Sequence, residues 1–356
     1  MKICHLHLFY FRNRKEYELQ PDEAFTVLTG SNGCGKTNIL ESVFFASVGK
    51  SFRTNDNEDL ILWDEEEGTI LLDFILRNTK HRLKVRLLRK ESAQFFINDT
   101  KIKRKDVLGT LRTVFFSVDE LRLIKGAPQD RRRFLDLEVS QISARYYEEV
   151  LLYQRAVQQR NAALRNAQIT GKKTDIDMWD MQIAKGAAYI VKKRKETVAR
   201  MNTVMKDTMT CLSGGDENVT IQYMIGKSNG ETKTDMTWYL EKLAAFREED
   251  QRLCQTSVGP HRDDLKFLLN GRDMAHFGSQ GQQRTAILAL KLAECEYNKM
   301  ETGEYPVLLL DDIGSELDDI RKDALFSYLK QHQIQTWMTM TTNPYTVGKE
   351  ICCDEG

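Results

Sequence analysis

Apolar positions along the chain change period several times, and those changes predict the elements. Short runs at Ala24–Thr29, Thr69–Arg77 and Gln94–Ile97 read as strands, the last before an Asn98-Asp99 turn. Arg82–Arg89 puts Leu83, Val85 and Leu87 on one face, the alternation of a half-buried strand. From about Lys36 the spacing becomes helical, with Ile39, Leu40, Val43 and Phe44 on one stripe and Gly49 placed to end the helix. Asp130 to about Gln168 and Asp177 to about Leu212 are long, charged and free of proline, so they predict an antiparallel helical arm around a loop at Thr170–Lys173. Strands return at Asp264–Leu269, before Asn270-Gly271, and at Pro306–Leu310, a nearly unbroken apolar run of the kind found in buried parallel sheets.

This order predicts an α/β fold with residues 1–117 and 301–356 in one lobe and 118–300 in a second, mainly helical lobe. Hydrophobic residues make up 41% and charged residues 29%, ordinary values for a chain that folds throughout. Lys+Arg and Asp+Glu both number 52, so any attraction to nucleic acid or to a membrane must be local. His5, His7, Arg12 and Arg14 leave no apolar signal core at the N-terminus, and no window offers the roughly 18 unbroken apolar residues of a membrane span. Seven scattered cysteines without a CxxC pair point to reduced thiols in a cytoplasmic protein and away from zinc. No internal repeat or low-complexity tract interrupts the pattern.

Between the first strand and the first helix lies Gly30-Ser31-Asn32-Gly33-Cys34-Gly35-Lys36-Thr37, which matches G-x-x-x-x-G-K-[ST] in the required strand–loop–helix context. Glycines allow backbone N–H groups to turn inward around phosphate oxygens, and the helix N-terminus adds a favourable dipole. Lys36 supplies charge to the outer phosphates, Thr37 offers a hydroxyl to Mg²⁺, and the candidate ATP-binding stretch continues to Asn38. Val307–Leu310 then delivers Asp311 and Asp312 at the carboxyl end of a buried strand, where ligands of parallel sheets bind. In this Walker B reading Asp311 holds magnesium and Asp312 orients or deprotonates the attacking water, with Lys36 as the other catalytic group.

Thr37 and Asp311 stand 274 residues apart, so a large insertion separates the two motifs. Two segments inside it could form the signature loop that caps the γ-phosphate held by a second subunit. Leu212-Ser213-Gly214-Gly215 is followed by the strand pattern Val219–Tyr223 and reads as a helix-ending turn. Ser279-Gln280-Gly281-Gln282 instead opens an apolar helical run through Ile287, Leu288, Leu290 and Leu292, so it can present a hydroxyl and N–H groups along a helix dipole.

Those motifs, with Ser315-Glu316-Leu317-Asp318, resemble the RecF family of bacterial recombination-mediator ATPases, relatives of the SMC and ABC ATPases. The most specific matching residues are Phe11-Arg12-Asn13, Val118-Asp119-Glu120-Leu121, Arg131-Arg132-Arg133-Phe134-Leu135-Asp136 and Gly259-Pro260-His261-Arg262-Asp263-Asp264. The resemblance implies an ABC-type ATPase head, a P-loop sheet with an antiparallel subdomain, plus the helical lobe with its short arm. It also implies a D-loop at Ser315, Glu316 and Asp318, and a homodimer that closes on two ATP molecules and grips DNA. Family partners are RecO and RecR, which load RecA at gaps and single-strand/double-strand junctions. Asp312 stands where most transport ATPases have Glu, and no switch histidine follows the strand near Trp337–Met340, where Thr341-Thr342 comes instead. Both departures predict slow hydrolysis.

Basic clusters at Arg131-Arg132-Arg133, at Lys192-Lys193-Arg194 and at Lys103-Arg104-Lys105 are the candidate DNA contacts. Arg131–Arg133 open a helix, an unfavourable end for cations, so either a phosphate or ion pairs to Asp130, Asp136 and Glu138 compensate them. His261 has no partner histidine at ligand spacing and reads as part of a turn. A transporter's nucleotide-binding subunit is a competing reading, but its motifs lie closer together. A short SMC-like clamp is another, but that would need a longer coiled coil.

Overall fold

The computed structural model describes residues 1–171, 175–215, 217–227, 234–343 and 347–354, with the side chains of 315 and 316 outside that description. The chain divides into two compact units, one of Met1–Leu121, Val204–Asn218 and Ser279–Gly356, the other of Arg122–Thr203 and Val219–Gly278. In chain order the strands are β1 (Lys2–Phe11), β2 (Arg14–Leu19), β3 (Phe25–Thr29), β4 (Glu67–Leu76), β5 (Thr79–Leu88), β6 (Gln94–Ile97), β7 (Thr100–Ile102), β8 (Thr113–Phe116), β9 (Val219–Met224), β10 (Asp264–Leu269), β11 (Arg272–Asp273), β12 (Val307–Leu310), β13 (Thr336–Thr339) and β14 (Lys349–Cys352).

In the first unit a parallel sheet runs β14-β3-β13-β12-β8. Every residue of β3, β8, β12 and β13 is buried, as continuous apolar strands covered on both faces should be. An antiparallel sheet runs β2-β1-β4-β5-β6-β7, and Leu83, Val85 and Leu87 of β5 face its core. β1 and β2 were not among the strands expected from the sequence. A register shift between Ile3 and His5 and a left-handed Tyr10 (φ 50°) move the buried side from Ile3 to Leu6 and Leu8 and then to Phe11, which breaks the alternation.

Helix Lys36–Val48 follows β3 and ends at Gly49, whose φ of 71° lets its N–H reach Phe45 O. Helix Gln280–Thr302 is buried along most of its length, and Thr208 Oγ1 donates to its Ala289 O at 3.2 Å. Buried Lys291 pairs with Glu120 at 2.7 Å and Glu294 at 3.1 Å. These contacts put residues 279–302 in the unit that carries β12, whereas the sequence pattern groups them with the second lobe.

In the second unit the expected helix from Asp130 is two, Pro128–Ile142 and Ala144–Thr170. Ser143 between them is extended, and its Oγ caps the second helix by accepting from Tyr146 N. Helix Asp177–Ser213 is continuous over 37 residues. Of the loop expected at Thr170–Lys173, Lys172 and Lys173 lie outside the described residues. β9, β10 and β11 form a small antiparallel sheet, and Asn202 closes the β9 edge by accepting from Ile221 N and donating to Ile221 O. Among the described residues no helix is long and apolar enough to cross a membrane.

Candidate functional site

β3 ends in a loop whose glycines take conformations closed to most side chains: φ is 140° at Gly30, 91° at Gly33 and 101° at Gly35. A Cβ on Gly35 would lie 2.8 Å from Asn13 Oδ1, while one on Gly33 would meet nothing within 4 Å. The loop is therefore braced on one side and open on the other, the form of an anion cradle. Asn13 accepts from Asn38 Nδ2 at 2.8 Å, and Arg14 Nη2 donates to both Cys34 O (2.8 Å) and Cys353 O (2.7 Å). Asp354 accepts from Ser31 N (3.0 Å) and Ser31 Oγ (2.7 Å), bonds that hold its carboxyl below the usual range. Lys36 Nζ donates to Gly30 O (2.6 Å) and Ser31 O (2.7 Å), and Ser31, Asn32 and Gly33 are exposed at the tip.

Parallel pairing of β12 with β13, and of β13 with β3, brings the Asp311 carboxylate to this loop. Thr37 Oγ1 donates to Asp311 Oδ1 (2.9 Å) and lies 3.1 Å from Oδ2, and Thr339 Oγ1 donates to Oδ1 at 2.8 Å. Burial pushes the Asp311 carboxyl up from the ordinary range, and the Thr339 and Thr37 hydroxyls oppose that rise. Asp312 N donates to Thr339 Oγ1 at 2.8 Å. Asp312 itself is left-handed (φ 53°), a conformation that turns the chain out of β12 into the short helix Ile313–Glu316. Thr37 and Asp311 are hard oxygen ligands, and a half-buried carboxylate facing a hydroxyl fits Mg²⁺, which takes few protein ligands and completes its shell with water and phosphate.

Thr339 was missed in the sequence. The threonines expected near the switch position, Thr341 and Thr342, follow β13 and are exposed, while the one that touches the Walker B carboxylate ends the buried strand. The sequence gives Arg12 no role in the site beyond its part in the resemblance. Its guanidinium grips Glu41 Oε1 and Oε2 at 2.7 and 2.9 Å, and Glu41 is wholly buried on the Lys36–Val48 helix. A glutamate among Leu40, Val43 and Phe44 was the available signal that a cation had to come to it.

Ser279 is the N-cap of Gln280–Thr302 in a reciprocal capping box: Ser279 Oγ accepts from Gln282 N (3.2 Å), and Ser279 N donates to Gln282 Oε1 (2.8 Å). The Ser279 hydroxyl keeps its own proton for an acceptor ahead of the helix, and Gln280 is exposed beside it. A Cβ on Gly281 would meet nothing within 4 Å, so the helix start can be approached closely. The rival segment ends a helix: Asp177–Ser213 stops there, Gly214 and Gly215 have φ of 80° and 113°, and β9 follows. Asp216 lies outside the described residues, as do the side chains of Ser315 and Glu316, which the resemblance puts in a D-loop. Asp318 caps helix Asp319–His332 by accepting from Arg321 N at 2.9 Å.

Two expected DNA contacts are corrected. Arg131 is buried and holds Asp264 through two bonds of 2.7 and 2.9 Å, with Gly126 O as a third acceptor, so its partner is neither phosphate nor the nearby acids of its own helix. Arg194 is 3% exposed and donates to Asp136 (2.8 Å), Tyr223 OH (3.2 Å) and Pro260 O (2.8 Å). Arg132 donates to Asp263 O at 2.7 Å, and Lys193 pairs with Glu196 at 2.9 Å. Arg133, Lys192, Lys103 and Arg104 are exposed and Lys105 is half-buried. His261 sits between Tyr153 OH at Nδ1 and Thr256 O at Nε2, and burial pulls its pKa down to about 4, so it is a neutral structural imidazole.

The family model for the RecF/RecN/SMC N terminal domain matches residues 2–350. The chain is 37% identical over 345 residues to the DNA replication and repair protein RecF of Clostridium botulinum, covering 96% of this chain and 93% of that one. With the protein of the same name from Bacillus velezensis it shares 38% identity over 349 residues, covering 96% and 94%. The solved recombination mediator protein RecF-ATP of the RecFOR pathway superimposes with a TM-score of 0.91 at 31% identity, covering 99% of this chain and 96% of that chain. An SMC head bound to the C-winged helix domain of ScpA shares the fold, with a TM-score of 0.56 at 15% identity, covering 97% and 91%. This chain belongs to the RecF family, within the superfamily of SMC- and ABC-type ATPases.

Proposed function

We propose that the chain is an ATP-dependent DNA-binding protein of recombinational repair and replication, a weak ATPase whose nucleotide site is completed by a second copy. The observation that carries this reading is the joining of Thr37, Asp311 and Thr339 beside an open glycine cradle. Residues Gly30–Asn38 bind the phosphates, with Lys36 swinging from Gly30 O and Ser31 O to the outer ones, and Thr37 and Asp311 hold Mg²⁺. Mg²⁺ supplies charge neutralisation at the phosphates. Asp312 orients the attacking water, and its short side chain together with the lack of a switch histidine makes turnover slow. Ser279 at its helix N-terminus reaches the γ-phosphate held by the partner copy, and the D-loop at Ser315, Glu316 and Asp318 lines the same junction.

Closure of two copies creates the DNA-binding form, and hydrolysis resets it. Kinship with a recombination mediator of the RecFOR pathway supports gapped duplex or a single-strand/double-strand junction as the DNA, RecO and RecR as partners in loading RecA, and a cytoplasmic location. Lys36→Met tests the reading: it should lose both ATP-dependent doubling of mass in solution and ATP-dependent retention of gapped DNA. Unchanged DNA retention with ATP would reject it.

A further inference from the structure

We propose that Glu217 is a positioning residue for the signature segment, holding the side chain of Gln282 so that Ser279 is presented to a second copy's nucleotide; the inference rests on the trans site proposed above. The Gln282 amide has two unlike ends. Its Oε1 already accepts from Ser279 N at 2.8 Å, which turns the NH₂ group the other way. There Nε2 donates to Glu217 Oε1 at 3.0 Å. Both contacts together select one amide orientation.

Glu217 stands four residues beyond Ser213, just past the glycine turn that resembles a signature in sequence without opening a helix. The helix that precedes this turn is itself tied to the signature helix, since Thr208 Oγ1 donates to Ala289 O at 3.2 Å. Glu217 Oε2 is also shielded from water, so the carboxylate is built into the structure and does not wave in solvent. Without an acceptor at this point the Gln282 amide can flip or rotate and release Ser279 N–H. The helix start then loses the fixed direction of Ser279 Oγ. The look-alike turn thus acquires a purpose: it carries the residue that braces the true signature.

Glu217→Met keeps the length of the side chain and removes the acceptor, whereas Glu217→Gln retains an acceptor oxygen. In the full-length chain with ATP and Mg²⁺, Glu217→Met should weaken ATP-dependent dimerisation by roughly tenfold. Its nucleotide affinity at dilute, monomeric concentration and its melting temperature should match wild type, and Glu217→Gln should dimerise normally. Glu217→Ala replaces the methionine variant if that one melts early. Wild-type dimerisation by the Met or Ala variant, beside a Ser279→Arg variant that stays monomeric, would overturn the inference while leaving the trans site intact. Normal dimerisation by Ser279→Arg would instead sink the trans site. Equal loss in the Gln and Met variants would overturn the hydrogen-bond assignment.

Discussion

Thr37 Oγ1 donates to Asp311 Oδ1 at 2.9 Å, joining residues 274 positions apart in the chain. The parallel pairings make this contact possible: β13 lies between β3, which delivers the P-loop, and β12, which delivers the carboxylates. Thr339 at the end of β13 bridges the two by donating to Asp311 and accepting from Asp312 N.

Asp311 should behave as a group kept charged at a cost. Because burial raises its carboxyl pKa, the folded chain holds that proton more tightly than the unfolded chain does. Its contribution to stability declines as pH rises from the ordinary carboxylate value through the raised one, so at neutral pH the ionised group is destabilising. Asp311→Asn should stabilise the nucleotide-free protein by on the order of 1 kcal/mol at neutral pH and abolish Mg²⁺-dependent hydrolysis. Thermal melts at acidic and neutral pH check the first part, and phosphate release checks the second.

Arg12→Ala should cost about 3 kcal/mol, because it removes the bidentate cation of the fully buried Glu41 carboxylate and leaves it the Ser51 hydroxyl and the more distant Arg53 guanidinium at 3.7 Å. Adding Glu41→Gln should recover part of that destabilisation. Urea unfolding of the two variants measures both numbers, and equal stability of wild type and Arg12→Ala would refute the account of this pair.

The basic residues should separate into two behaviours. Arg194→Ala should lower stability by about 3–5 kcal/mol, since Asp136 loses its cation and keeps the Tyr146 hydroxyl, and the Pro260 carbonyl loses its Arg194 donor. Exposed Lys103→Glu should leave the melting temperature nearly unchanged and reduce the slope of log affinity for duplex DNA against log salt by about 0.9 for each phosphate that the variant no longer neutralises. Salt titrations of DNA binding beside thermal melts distinguish the two.

Local chemistry was the legible part of this chain. The P-loop, the β12 carboxylates and the Ser279 cap each need particular residues at close spacing, so a short window carries the whole requirement. Gly49 is legible for the same reason, since its positive φ serves the helix that it ends. Thr339 was hidden because its role comes from a neighbouring parallel strand. Arg131 and Arg194 look like any solvated charge in a basic run; only the arrival of Asp264 and Pro260 from distant segments buries them. The break at Ser143 and the parity changes in β1 similarly depend on a single residue's backbone, which periodicity averages away.

The central claim is that each nucleotide site is shared between two copies, and mixing two inactive variants tests it most directly. Lys36→Met lacks a working P-loop but keeps Ser279; Ser279→Arg keeps the P-loop and lacks the signature hydroxyl. In a mixed dimer one composite site has both parts intact. ATP hydrolysis should therefore reappear when the two variants are combined, although neither hydrolyses ATP alone. A mixture as inactive as its components, with both variants folded and Ser279→Arg still binding ATP, would contradict the shared site.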